Sequence, residues 1–238
     1  MWCVAEIDDT YIARMEDVLA IYERPLDEAE PVVCLDEKPV TLHADVRPPV
    51  TAAPGRIAKR DSEYKRCGKA NVYCAVEPKS GRHFTKPTPT RSLVEFANIV
   101  RQLADAYLAA RVIHLILDNL NIHRRQALTQ TFGEDIGGAI WDRFHVHYTP
   151  KHGSWLNQAE IEISLFSRQC LAHRRIPNLT ALQGQAEAWN KRVNADRIVI
   201  NWGFTRRAAR MKFAYTRKLF RRSKTRWEKR RVQTLAPQ

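Results

Sequence analysis

The sequence predicts a mixed α/β protein in which helices pack on a sheet. Short apolar runs alternate with longer stretches of helical periodicity. Two of the runs, residues 112–117 and 144–148, are nearly continuous in apolar character, as strands buried on both faces are. Two strand-like runs at 71–76 and 82–86 flank a turn from Pro78 to Gly81 and read as a hairpin.

Taken in order, residues 8–23 read as a helix with an acidic first turn, stopped by Pro25. Residues 31–35 form a short apolar strand that delivers Asp36 at its end, and residues 40–43 a second short strand. Pro, Gly and charge over 47–69 mark a loop. The hairpin follows, stopped by Pro87 and Pro89. Over 91–109, Leu93, Phe96, Ala97, Val100, Leu103, Ala104, Tyr107 and Leu108 recur at helical spacing. The most hydrophobic strand opens at Arg111 and ends at Asp118. Residues 122–131 read as helix, 144–148 as strand and 149–156 as a Pro/Gly/Ser loop. Helices at 158–171 and 179–193 and a basic-faced one over 205–222 complete the chain.

Charge is segregated. The chain carries 39 Lys+Arg against 26 Asp+Glu, a formal +13, yet residues 206–231 hold 13 basic residues and one acid, Glu228. A near-neutral body therefore bears a basic C-terminal arm. Nucleic acid is the partner such an arm suits first and an anionic membrane surface second; a solubilising tail has the same composition. A composition 44% hydrophobic and 27% charged excludes a disordered chain. No apolar run is long enough to cross a membrane, and the N-terminus lacks the basic and apolar regions of a signal peptide. Five cysteines without a Cys-x-x-Cys pair read as reduced thiols rather than a structural zinc site.

Three acids stand where open α/β sheets place ligands: Asp36 and Asp118 at strand ends, and Glu160 at the start of the helix after the loop. Carboxylates meeting there repel, and Mg²⁺ or Mn²⁺ is the matching counter-charge. Glu37 and Glu162 are rivals. Strand neighbours point to opposite faces, and residues 160 and 162 sit about 200° apart on a helix, so one of each pair faces the site. Turn and cap roles account for the same acids: Asn157 suits an N-cap with Glu160 three residues on, as in a capping box. Asn119 and His123 offer support to water, phosphate or DNA, or serve as turn and cap residues. His145 and His147 share one strand face; packing or hydrogen bonding explains them better than zinc held with Cys67 or Cys74. In the loop, Lys151 and His152 offer donors to phosphate, and Trp155 an anchor or a stacking surface.

Three segments carry a resemblance: Val33-Cys34-Leu35-Asp36-Glu37, Leu117-Asp118-Asn119-Leu120-Asn121-Ile122-His123, and the stretch from His147 through Glu160-Ile161-Glu162 to Leu171. The sequence resembles the catalytic part of bacterial insertion-sequence transposases of the mariner-like superfamily, Asp-Asp-Glu endonucleases. The likeness extends from about Trp2 to about Lys212. It implies a ribonuclease-H-like mixed sheet flanked by helices, with extra C-terminal helices. It divides the chain into an acidic N-terminal helix (1–30), a catalytic domain (31–203) and a basic helical arm (204–238). By motif the three acids fall on Asp36, Asp118 and Glu160, and it is the resemblance that selects Glu160 over Glu162. The 42-residue step from Asp118 to Glu160 exceeds the usual spacing, and an added helical stretch over 134–143 accounts for it, as in a subset of the family.

The activity so implied is metal-dependent hydrolysis and strand transfer at transposon ends, with two Mg²⁺ or Mn²⁺ ions held by the three acids. The partner would be double-stranded DNA, both transposon end and target, positioned by Lys151, His152, Trp155, Arg168, Arg206, Arg207, Arg210, Arg217 and Lys218. Asn119 and His123 would support the acids. End synapsis implies a homodimer, and the setting would be the nucleoid in a bacterial cytoplasm, with no membrane. Relatives carry an N-terminal helix-turn-helix region, whereas this sequence opens at the catalytic region. The expectation is a truncated frame or one half of a frameshifted pair. A non-catalytic DNA-binding remnant, acting as decoy or inhibitor, and a structure-selective nuclease of the same fold are the alternatives.

Overall fold

The computed structural model describes residues 7–216. Its centre is one five-stranded sheet, ordered β3-β2-β1-β4-β5. β1 (Val32–Asp45), β2 (Tyr64–Glu77) and β3 (Arg82–Thr88) form an antiparallel meander, and β4 (Ile113–Leu117) and β5 (Phe144–Tyr148) add in parallel to β1. The chain reaches β4 through α2 (Leu93–Ala106) and β5 through α3 (Arg125–Phe132) and α4 (Glu134–Trp141).

Strand alternation sorts the side chains into two layers. Val33, Leu35, Tyr73, Ala75, Ile113, Leu115 and Leu117 face α2, whose Phe96, Val100 and Leu103 form the other half of that core. Cys34, Val76 and Ile116 face α1 (Asp9–Tyr22), the start of α5 (Ala159–Phe166) and α7 (Arg206–Lys212). Val72 and Cys74 continue that face under α6 (Leu179–Asp196), with Phe166 and Trp189 between. Two helix starts are capped by side chains: Asp8 accepts from the Tyr11 N–H at 2.6 Å and Ser92 from the Glu95 N–H at 3.3 Å.

Two expectations change. The two short strands at 31–35 and 40–43 are one strand, so Asp36 lies within β1 rather than at its end. Lys38 and Pro39 separate the two apolar runs, but β4 pairs with β1 only over Val32 to Cys34. Beyond Cys34 one side of β1 is open, where a proline is tolerated. The supposed loop at 47–69 ends in strand: β2 begins at Tyr64, and the register slips opposite Gly68, whose φ of +109° suits a bulge. The N-terminal helix, α1, and the start of the basic arm, α7, lie against the sheet. They pack on each other and on the sheet, with Met15, Leu19, Ala209 and Tyr215 in one core cluster. Most of the basic arm, with Arg217 and Lys218, lies outside the described residues.

Candidate active site

The parallel register brings the first two acids level. Cys34 stands opposite Ile116, and the same step continued two residues further sets Asp36 beside Asp118, just past the end of β4. Asp36 points to the face of Cys34, toward α5, and Glu37 to the face of Leu35, toward α2.

Asn157 delivers the third acid. Its side chain is fully buried and donates to the Leu35 carbonyl at 2.9 Å, one residue before Asp36. Its Oδ1 accepts from the Ala159 N–H at 3.2 Å, so one amide ties the start of α5 to β1. The capping-box role for Glu160 falls away, because the Asn157 N–H is already donated to Ser154 O at 2.7 Å. The two acids of α5 part as helical geometry requires. Glu162 is buried and bonded to His83 Nδ1 at 2.8 Å, inside the protein. Glu160 is exposed in the first turn, on the side of Asp36.

Electrostatics sets the acids apart. Burial, then the nearby carboxylates of Glu37, Glu160 and Asp118, push the Asp36 carboxyl up to about 7. Burial also opposes ionisation of Asp118, but His123 and the Leu120 N–H, 3.0 Å from Oδ1, outweigh it and leave that carboxyl below its ordinary value. His123 is fully buried. Its Nε2 meets Glu37 Oε1 at 2.7 Å, and its Nδ1 lies 2.7 Å from Asp118 Oδ1, at ion-pair distance though not aimed as a well-aligned hydrogen bond. Burial alone would keep this imidazole neutral, yet the two carboxylates raise it to about 9, so it is a cation at neutral pH. Glu37 thus has a task of its own behind the site, holding His123 against Asp118.

A family model described as DDE superfamily endonuclease matches residues 31–183, well over half of the chain. The chain belongs to that family. All three acids lie within the matched span. Among solved structures, it resembles a Mos1 transposase paired-end complex with left transposon end, at 16% identity and a TM-score of 0.53 over 83% of this chain. The Mos1 strand transfer complex gives 16% identity and 0.52, and the Mos1 mariner paired-end complex with Mn 16% and 0.51, each again over 83% of this chain. This chain spans about three fifths of each Mos1 chain. At that identity the likeness is one of fold, the ribonuclease-H-like sheet with its flanking helices. A search of curated proteins finds no match.

In this DDE family member the loop before α5 is built around Pro150 and Gly153. The Gly153 N–H bonds to Pro150 O at 2.9 Å, and a Cβ on Gly153 would stand 2.5 Å from Pro150 Cγ. Lys151 and His152 are exposed at the turn, with His152 held at φ +62°. Trp155 is a partly exposed anchor: its Nε1 donates to the Tyr11 hydroxyl at 3.3 Å, and its ring meets Phe204 edge-on. Asn119 is committed to structure, donating to Thr149 O at 2.6 Å and accepting from Arg14. Arg168, on a single π-helical turn after α5, and Arg207 are exposed. Arg206 and Arg210 are not free cations: Arg206 Nη2 pairs with Glu23 at 2.6 Å, and Arg210 clasps the buried Glu16 at 2.5 and 2.7 Å. Those two arginines fasten α7 to α1.

Sequence reasoning missed the Leu35–Asn157 tie and the Glu37–His123 pair. In sequence Asn157 has the look of a cap and Glu37 that of a rival acid; the long-range partner of each becomes apparent only once strand and helix are placed.

Proposed function

We propose that this chain is a transposase catalytic domain that cuts phosphodiester bonds at transposon ends and joins the freed 3′ end to target DNA. One observation carries the reading. Asp36 and Asp118 sit side by side at the ends of parallel pairing, Glu160 is tied to them through Asn157, and no Lys, Arg or His among the described residues forms an ion pair with Asp36.

The donor set fits a hard divalent cation. It is all carboxylate oxygen, and Asp36 is strained by its like-charged neighbours in a way that a cation would relieve. Asp36, Asp118 and Glu160 would hold Mg²⁺ or Mn²⁺, most simply two ions, since three carboxylates spread between two centres need not crowd about one. When bound, such ions polarise the scissile phosphodiester and favour attack by water or a 3′-hydroxyl. The protein's own part is orientation and charge. Asp118 is kept anionic and fixed in direction by His123 and the Leu120 N–H. Asp36 is set by the strand. Glu160, exposed at a helix start where the dipole favours an anion, has room to adjust to the DNA.

DNA would cross the surface beside Lys151, His152 and Arg168, with Arg207 and the charge beyond Thr216 adding phosphate contacts that hold without specifying sequence. Synapsis of two ends would require a second copy, and the setting would be the nucleoid in a bacterial cytoplasm. No helix of the described residues is long and apolar enough to cross a membrane. The test is purified protein with Mn²⁺ and DNA bearing matched terminal repeats. Cleavage that disappears in Asp118→Asn supports the enzyme. Binding without any cleavage favours the non-catalytic remnant, and cleavage guided by DNA shape alone favours a structure-selective nuclease.

A further inference from the structure

A second set of ligand-bearing side chains stands apart from the acids. His114 on β4 pairs in register with His145 on β5, and His147 lies two residues further on the same face of β5. His114 is four residues before Asp118, about 13 Å along the strand. Among the described residues, these three histidines form the one group of three whose ligand atoms all lie within 4.8 Å of one another. His114 and His147 are buried, and His145 is exposed on the edge strand, which gives an ion a way in.

The hydrogen bonds fix where the protons are. A guanidinium only donates, so Arg24 Nη1, 2.7 Å from His114 Nε2, makes that nitrogen an acceptor and places the His114 proton on Nδ1. His114 Nδ1 then donates to His147 Nε2 at 2.9 Å, and His147 Nδ1 donates to Asp17 Oδ2 on α1 at 2.7 Å.

We propose that His114, His145 and His147 form a binding site for one borderline transition-metal ion, of the Zn²⁺ or Co²⁺ class, which fastens α1 to the edge of the sheet. Tetrahedral bonds of about 2.0–2.1 Å set ligating nitrogens about 3.4 Å apart, close to the present His114–His147 spacing of 2.9 Å. His145, stacked on His147 with centroids 4.7 Å apart, turns its exposed ring to complete the set. The outer carboxylates are in place. His147 already rests on Asp17, and Glu30 Oε2 is 3.5 Å from His114 Nε2. Carboxylates so placed orient a ligating imidazole. On binding, the His114 proton would sit on Nε2 instead of Nδ1 and be shared with Glu30 as a hydrogen bond, while Arg24 leaves Nε2 and keeps its existing contact with Glu30. No net proton is released. Imidazole donors separate this site from the all-oxygen acids, which select harder ions.

The experiment is Co²⁺ titration of the whole chain carrying Asp118→Asn and Glu160→Gln, read by visible absorption and calorimetry, so that the acids do not contribute. The expected result is one Co²⁺ per chain with the intense absorption of a four-coordinate site, displaced by Zn²⁺. His145→Ala, at an exposed position, should weaken binding at least tenfold with unchanged circular dichroism, and Asp17→Asn should weaken it roughly tenfold to a hundredfold. No binding near one equivalent, or equal binding by His145→Ala, overturns the site. With the acids intact, His145→Ala should leave DNA cleavage as it was, so a failure here is distinct from a failure of the proposed enzyme activity.

Discussion

At the scale of single residues, the environments of two acids diverge. Asp36 is held above its ordinary range by burial and like charges, while Asp118 is held below it by His123. For metal-free protein, the folded state therefore holds a proton on Asp36 more tightly than the unfolded chain does. Native stability falls as pH rises from about 4 to about 7, and the full cost persists above that. Thermal melts in chelator should show Asp36→Asn more stable than wild type at pH 8, by on the order of a few kcal/mol, with the difference gone near pH 4. Equal melts at both pH values would contradict the electrostatic picture. His123 sits between Glu37 and Asp118 with no exposure. His123→Ala should cost about 3 kcal/mol or more in chemical denaturation, because it leaves a buried carboxylate unpaired; a cost under about 1 kcal/mol would show the pair to be idle. Three acids were legible in the sequence as candidates for the site. The cation behind them was not, since Glu37 and His123 are 86 residues apart.

At the scale of elements, β4, β5, α2 and the hairpin were legible because their apolar periodicity reports burial directly. β1 was legible only as two pieces, because Lys38 and Pro39, between the apolar Leu35 and Val40, are held in the strand by backbone pairing to β2. The first part of β2 is exposed and polar for the same reason, and nothing in its side chains announces a strand. One amide, that of Asn157, ties the start of the Glu160 helix to β1. Asn157→Ala should destabilise the fold by about 1–3 kcal/mol, leaving the Leu35 carbonyl without its donor. It should also slow DNA cleavage by more than the lost fraction of folded protein explains. Cleavage per folded molecule at the wild-type rate would show that Asn157 supports only the fold.

At the scale of the whole molecule, the three candidate acids and most of the excess positive charge lie in different stretches of the sequence. Arg206 and Arg210 belong to the packing of α7 on α1, and the buried Glu16 that Arg210 and Tyr215 share anchors that junction. Residues beyond Thr216 carry nine basic side chains up to Arg231 against one acid. A chain ending at Thr216 should therefore keep its fold and bind DNA with a shallower dependence on salt. The slope of log affinity against log salt should fall by about 0.9 for every phosphate contact removed. Equal slopes with and without residues 217–238 would mean that this charge does not touch DNA.

The central claim is that Asp36, Asp118 and Glu160 form one metal-dependent centre acting on DNA ends. Its most direct test compares wild type with Asp118→Asn on terminal-repeat DNA in Mn²⁺, with DNA binding and melting temperature measured on the same samples. The prediction is cleavage by wild type and a loss of about a thousandfold or more in the variant, equivalent to roughly 4 kcal/mol of transition-state stabilisation, with DNA binding retained. Cleavage by Asp118→Asn at the wild-type rate would contradict it.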